Sequence, residues 1–262
     1  MALLEVENVR RSFGGLTAVD NVTFAVQSRH IKAVIGPNGA GKTTLFNIIS
    51  GLLRPQSGQV RFQGSLIGGL KPHQVARAGL SRTFQNPALF PQMTVLENVM
   101  SGRHLKTRSE FLACAMRLPW QTREEAAIRH QAMARLDYVG LAHLAAFPAS
   151  ALAFGQRRMV ELARALAAEP RLLLLDEPAS GLNTREKQDL GELISRIRNT
   201  GVTIVLVEHD MSLVMRLADE ILVLHHGATI AEGTPAAIQS DPKVVSVYLG
   251  GEFQDVAPGP KS

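Results

Sequence analysis

The chain has 262 residues and one cysteine, Cys114. A single thiol closes no internal disulfide, which fits a reducing compartment. No apolar run is long enough to span a bilayer. The start, Met1-Ala2-Leu3-Leu4-Glu5-Val6, lacks the basic-then-apolar order of a signal peptide. These absences predict a soluble, cytoplasmic chain. The eight histidines show no zinc-type spacing with cysteine or carboxylates. No dense Lys/Arg block carries interleaved aromatics, so nucleic acid is not expected as a partner. The net charge of +5 also suits an anionic membrane surface or a basic solvated one. Hydrophobic residues at 45% and charged residues at 19% supply a packed core and argue against disorder. The length allows one large domain or two small ones.

One stretch organises the rest. Gly36-Pro37-Asn38-Gly39-Ala40-Gly41-Lys42-Thr43-Thr44 fits G-x-x-x-x-G-K-[ST] in full. The apolar run 31–35 before it reads as a strand, and Thr44 to Ser50 reads as the start of a helix. That is the context a phosphate-binding loop requires. Glycines let backbone N–H groups turn inward around phosphate oxygens. The helix N-terminus adds partial positive charge. Lys42 supplies a full charge toward the β- and γ-phosphates, and the Thr43 hydroxyl is placed to hold magnesium.

Upstream, residues 3–10 and 19–27 read as strands joined by a turn with Phe13-Gly14-Gly15. Phe13 either stacks an adenine ring or packs under the turn as a core aromatic. Downstream, Val60-Arg61-Phe62 reads as a short strand, and Pro72 sits early in a helix. Leu80 to Gln85 reads as a strand ending in Gln85, which could reach a bound magnesium or the attacking water. Asn86-Pro87 and Phe90-Pro91 then force a loop. Thr94-Val95-Leu96-Glu97 fits a capping box. From there to about residue 147 the pattern is helical, and its apolar run from Phe111 to Trp120 suits a helical hairpin packed on its own domain.

A further helix should run from near Gly155 to Ala168. Arg157 and Arg158 sit in its first turn, where cations oppose the helix dipole. Exposure to water or an anion at that helix start would account for them. Leu172-Leu173-Leu174-Leu175, bounded by Pro170 and Pro178, reads as a strand buried on both faces. It ends in Asp176-Glu177, and two carboxylates there need a cationic partner. With a phosphate loop in the same chain, magnesium fits, with Asp176 as its carboxylate and Glu177 as the proton acceptor for the attacking water. Asn183 or Thr184 caps the next helix. Val202 to Val207 is another buried strand, ending near His209, which can hydrogen-bond a γ-phosphate. Residues 221–224 and 228–231 form a hairpin with His225 and His226 as solvated turn residues. Thr234-Pro235 opens a short helix, and the last residues, 258–262, look frayed.

With these pieces in this order, the chain resembles the nucleotide-binding subunit of an ABC transporter, from Leu3 to about Gly251. The resemblance implies an α/β fold: a P-loop NTPase core of ABC type, with an antiparallel β-subdomain and a helical subdomain near residues 87–165. Residues 1–250 would be this domain and 251–262 a flexible tail. Phe13 resembles the adenine-stacking aromatic, Gly36 to Thr43 the phosphate loop, and Gln85 the Q-loop glutamine. Leu152 to Gln156 resembles the signature LSGGQ. Asp176 and Glu177 resemble the magnesium-side Asp and the catalytic Glu, Ser180 to Asn183 the D-loop, and His209 the switch histidine. The signature departs from the family pattern, with Ala153 at the usual serine and Phe154 at the first glycine. Gly155 and Gln156 remain, and the Gly155 N–H with the helix N-terminus can still bind a γ-phosphate.

The implied function is ATP hydrolysis that powers an importer, with ATP and Mg2+ bound and Glu177, His209 and Gln85 acting on the γ-phosphate. Two such subunits would sandwich two ATP molecules. The motifs look closest to branched-chain amino-acid importers. Urea and amide importers, or a soluble ABC ATPase outside transport, are the alternatives. The implied partners are two integral membrane permease subunits, a second similar ATPase subunit (a different chain, or a second copy of this one) and, indirectly, a solute-binding protein. The implied location is peripheral, on the cytoplasmic face of the membrane.

Overall fold

The computed structural model describes residues 2–85, 87–103 and 119–253. In chain order its strands are β1 (Ala2–Phe13), β2 (Leu16–Gln27), β3 (Ile31–Ile35), β4 (Ser57–Phe62) and β5 (Ser65–Leu66). They continue with β6 (Leu80–Arg82), β7 (Leu172–Asp176), β8 (Thr203–Val207), β9 (Glu220–His225) and β10 (Ala228–Gly233). The chain divides into two units, Met1–Lys71 with Arg198–Ser262, and Pro72–Ile197. Cys114 and the apolar run from Phe111 to Leu118 lie outside the described residues, as do Asn86 and residues 254–262, where a tail was expected. The last helix, Pro242–Phe253, reaches into the span expected to be tail.

The first unit holds an antiparallel sheet of order β2-β1-β4-β5. Its first hairpin turns through Gly14-Gly15, with Phe13 opposite Leu16. Along β2, Val19, Val22, Phe24 and Val26 are buried while their neighbours are more open, the alternation of a strand with one core face. The same unit holds β3 between β8 and β9, both parallel to it, with β10 antiparallel on β9. Every residue of β3 and β8 is buried. That is why both read as unbroken apolar runs: parallel strands covered on two faces have no solvent side to alternate with. Lys32 in β3 is the exception. Its ammonium donates to the Ala25 carbonyl at 2.7 Å and pairs with Glu220 and Glu232.

The second unit pairs β6 with β7 in parallel. Helices Val95–Ser101, Pro119–Tyr138 and Phe154–Ala167 share a core of Val95, Val99, Leu136, Val160, Ala163 and Ala167. The Thr94–Glu97 capping box forms as its spacing predicts. Thr94 Oγ1 accepts from Glu97 N–H, and Glu97 Oε2 accepts from Thr94 N–H. The bonds that Glu97 Oε2 accepts, from the Thr94 N–H and from the Thr94 hydroxyl, hold the Glu97 carboxyl below its ordinary pKa.

Two expectations change. The strand expected over Leu80–Gln85 stops at Arg82. The ladder ends when Thr83 N–H donates to Leu174 O at 3.0 Å, and the Phe84 backbone turns to side chains instead. The helical stretch expected to run to about residue 147 ends at Tyr138. Gly140 takes φ +77°, Leu141 N–H donates to Leu136 O, and Gly140 N–H donates to Asp137 O. This Schellman arrangement closes the helix, and two short 3-10 turns follow before Leu152.

Candidate functional site

In the first unit the phosphate-loop sequence leaves the carboxyl end of β3 and enters the helix Lys42–Ile49. Gly36 and Gly41 have φ of +151° and +99°. A Cβ on Gly36 would lie 2.1 Å from Leu224 O, and one on Gly41 2.1 Å from Ala18 O. The loop is therefore pressed between β9 and β2, and only glycine fits at these points. Gly227 N–H donates to Ala40 O at 3.1 Å, so the β9–β10 turn also holds it. The helix has no side-chain cap at Gly41. A helix start of this kind suits an anion. Lys42 is buried, and its ammonium donates to Gly36 O at 2.6 Å and Pro37 O at 2.9 Å. Carbonyls of the loop hold the charge where the motif expects a phosphate. Pro37, Asn38, Gly39, Ala40, Thr43 and Thr44 complete the loop, with Asn38, Gly39 and Thr43 exposed. Tyr248 of the last helix reaches the same loop. Burial pushes its hydroxyl up to about 12, partly offset by a hydrogen bond from the Gly36 backbone.

His209 belongs to this edge. Val34 of β3 lies opposite Val207 of β8, so Gly36 and His209 each stand two residues beyond a paired position. The imidazole side chain is 62% exposed. Its backbone is fixed by buried Glu208, whose Oε2 accepts from the N–H of His209 at 2.9 Å and of Asp210 at 3.2 Å. Asp210 in turn caps the helix Met211–Leu217. Phe13 is 45% exposed at the end of β1. That excludes the core alternative left open above. The Arg11 guanidinium sits 5.0 Å over its ring.

In the second unit β6 and β7 run side by side, with Asp176 the last residue of β7, Glu177 just beyond it and Gln85 beyond the end of β6. Gln85 Nε2 donates to Glu177 Oε2 at 2.9 Å. Glu177 has φ +45°, a left-handed conformation rare for a residue with a side chain. Such strain, worth about 1–3 kcal/mol, gathers at functional sites. Asp176 does not stand alone. Arg82 Nη2 donates to its Oδ2 at 2.8 Å, and both side chains are 7% exposed. The cationic partner that the sequence demanded for these carboxylates is thus, on this side, an arginine of the chain. Sequence reasoning missed Arg82. The signal was a charged residue inside an otherwise buried short strand.

The signature segment opens the helix Phe154–Ala167. Gln156 Oε1 accepts from Ala153 N–H at 3.0 Å, which supplies half of a capping box without a side chain at Ala153. A Cβ on Gly155 would meet Glu186 Oε1 at 2.7 Å. The two first-turn arginines behave differently. Arg157 is exposed and donates from Nε to Leu152 O at 2.9 Å. Arg158 is buried at 3% exposure and donates to Phe84 O at 2.9 Å and Ser180 O at 3.4 Å. Backbone carbonyls, with the buried Glu161 carboxylate 3.9 Å away, account for Arg158 rather than water or a bound anion. Asn183 caps the next helix in a reciprocal pair with Glu186. Asn98 is fully buried and ties down the loop at Phe90 by accepting its N–H at 2.8 Å and donating to its carbonyl at 3.0 Å. Glu208, Arg158 and Asn98 carried no local motif and are legible only from their partners.

Among the described residues no three His, Cys, Asp or Glu gather as a metal cage, and no helix is long and apolar enough to cross a membrane. In the second unit Asp176 and Gln85 offer hard oxygen donors of the kind magnesium takes, and in the first unit Thr43 offers a hydroxyl.

A phosphate loop on a parallel-sheet edge, a histidine on that edge and a Gln–Glu pair beyond a second parallel pair define a P-loop nucleotide-binding cassette. The family described as ABC transporter matches residues 19–180. The family described as branched-chain amino acid ATP-binding cassette transporter matches residues 228–254. The high-affinity branched-chain amino acid transport ATP-binding protein BraF of Pseudomonas aeruginosa is 44% identical, over 95% of this chain and 98% of that protein. The corresponding LivG of Escherichia coli is 41% identical over the same shares. A nucleotide-free ATP-binding cassette from an ABC transporter superposes with a TM-score of 0.83 at 32% identity, covering 95% of this chain and 99% of that one. A cassette solved in its ADP conformation gives 0.83 at 33%, with the same coverage. The chain belongs to the ATP-binding subunits of ABC transporters, and as such is an ATPase.

Proposed function

We propose that ATP hydrolysis by this chain powers a branched-chain amino-acid importer, from a peripheral position on the cytoplasmic membrane face. The observation that carries the chemistry is the Gln85–Glu177 hydrogen bond at 2.9 Å, with Glu177 in a strained left-handed backbone. The names of BraF and LivG, and the match over residues 228–254, favour the solute.

In this reading residues 1–250 form the nucleotide-binding domain, with its helical part near 87–165. Lys42 leaves the loop carbonyls for the β- and γ-phosphates, and the loop N–H groups from Gly36 to Thr44 take the remaining phosphate oxygens. Phe13 stacks on adenine with the ring face away from Arg11. Thr43, Asp176 and Gln85 would hold Mg2+, which would supply charge neutralisation to the phosphates. Glu177 accepts the proton of the attacking water while Gln85 orients it. His209 donates to the γ-phosphate from its exposed imidazole. Ala153, Gly155 and Gln156 meet the nucleotide of a second, similar ATPase subunit through backbone N–H groups, because Ala153 has no hydroxyl. Two membrane permease subunits receive the closure of that pair, and a solute-binding protein delivers the substrate to them.

The test is capture of the tagged chain from detergent-solubilised native membranes, with the co-purifying chains identified. The expected result is two polytopic proteins and a second ATPase of similar size. Recovery with ribosomes or DNA instead would overturn the transport reading and leave the ATPase chemistry standing.

A further inference from the structure

Two buried charged side chains of the signature helix have no part in the chemistry described so far. Glu161 is 1% exposed and Arg158 3% exposed. Glu161 Oε1 and both Nη atoms of Arg158 are spent on backbone outside their own helix. Glu161 Oε1 accepts from Phe84 N–H at 3.1 Å, and Arg158 Nη1 donates to Phe84 O at 2.9 Å. The residue next to Gln85 is therefore gripped from both sides of its backbone by one helix. The other arm of the Arg158 fork, Nη2, donates to Ser180 O at 3.4 Å. Ser180 N–H donates to Glu177 O at 3.1 Å, which closes the turn that carries Glu177. One guanidinium thus joins the two segments whose side chains meet as Gln85 and Glu177. Arg164, a turn further on, donates to Ala88 O at 2.6 Å and steadies the far side of the same loop. Burial raises the Glu161 carboxyl above its ordinary pKa, against the pull of Arg164 and Arg158 at 3.8 and 3.9 Å. A carboxylate kept in such a place at that cost serves a geometric purpose better than a stabilising one.

We infer that Arg158 and Glu161 are positioning residues: a clasp from the signature helix that sets Gln85 against Glu177. Arginine suits this because its planar fork reaches two acceptors at once, which a lysine ammonium on a flexible stem does not reproduce. The clasp acts on kcat, because it orders the hydrolytic pair, and leaves nucleotide binding by the phosphate loop alone. It rests on the reading of Glu177 as the base.

The experiment measures steady-state ATPase kinetics and amide hydrogen exchange for the full chain and three variants. Glu161→Ala removes the acceptor of Phe84 N–H. It should lower kcat about tenfold or more, keep KM for ATP within about twofold, and speed exchange of the Phe84 amide. Glu161→Gln keeps an acceptor oxygen without the charge, and should retain kcat within about threefold and the slow exchange. Arg158→Lys should lower kcat with KM unchanged, and it carries the test if Glu161→Ala does not fold. Equal loss in the Ala and Gln variants, or parental kcat in Glu161→Ala or Arg158→Lys, would overturn the clasp. A failure of the Glu177 assignment is told apart by Glu177→Gln, whose normal turnover would sink that assignment alone. Phe84 amide exchange reads the clasp without any turnover.

Discussion

The residues that carry the chemistry separate by what they touch. Lys42 is held by two loop carbonyls at 2.6 and 2.9 Å. A phosphate replaces those dipoles with full negative charge. Lys42→Ala should lower ATP affinity about tenfold or more, since a hydrogen bond to a charged group is worth about 1.5–3 kcal/mol. Calorimetric titration checks this, and unchanged affinity would contradict the role of Lys42. Glu177→Gln keeps an acceptor for Gln85 but loses the base. Its turnover should fall about 10²–10⁴-fold with ATP still bound, as single-turnover hydrolysis reads directly. Glu161 makes a pH-dependent prediction. Its folded-state pKa is raised by burial. Such a group favours the fold fully below its unfolded pKa and loses that contribution as pH rises through the raised value. Glu161→Gln escapes the penalty, so its Tm relative to the parent should be higher at neutral pH than below the ordinary glutamate range. Thermal melts at both pH values test this, and a difference that is constant or reversed would contradict the assigned cause.

Most of these residues were legible because their motifs encode local geometry. Gly36, Gly41 and Lys42 fall in one turn, and their spacing is the geometry. Gln85, Asp176, Glu177 and His209 follow short apolar strands, so position along a strand places them at an edge. Arg82, Glu161 and Arg158 were not legible. Arg82 meets Asp176, 94 residues away, and Glu161 meets Phe84 across 77 residues. Nothing in local spacing records a partner at that distance. For Arg158 the sequence posed a question, a cation at a helix start, and the structure answers it with two carbonyls.

Among the elements, the parallel strands were the easiest to read. β3, β7 and β8 are buried at every position, so apolar runs bounded by glycine, proline or carboxylates located them to within a residue or two. β6 was overextended, because Phe84 and Gln85 continue an extended pattern while their hydrogen bonds leave the ladder. After Thr94 the helical pattern of the sequence is more continuous than the helices themselves. Alanine- and arginine-rich sequence has helix propensity everywhere, and only the positive φ at Gly140 and the bonds closing onto Leu136 and Asp137 mark the end. The cap at the start of that stretch gives an elemental prediction. Thr94→Ala should cost about 1 kcal/mol by losing the bond to Glu97 N–H, read as a shift in denaturant midpoint at constant m. A midpoint that does not move would show that the three-helix core alone holds the helix end.

For the whole molecule, the organisation that matters is how the motifs are shared. The first unit carries the phosphate loop and His209, and the second carries Gln85, Asp176, Glu177 and the signature segment. The resemblance read from sequence extends over nearly the whole chain, and the curated relatives match over 95% of it. No motif of this chain specifies a solute. The likeness to BraF and LivG stands in for that information, and the match over residues 228–254 adds to it. The proposed role is hydrolysis that drives branched-chain amino-acid import. The direct measurement is uptake of labelled leucine and labelled urea by cells whose only copy of this chain carries Glu177→Gln. Leucine uptake should fall to the uncoupled background while urea uptake is unchanged. Leucine uptake at the parental rate would contradict it, and so would loss of urea uptake alone.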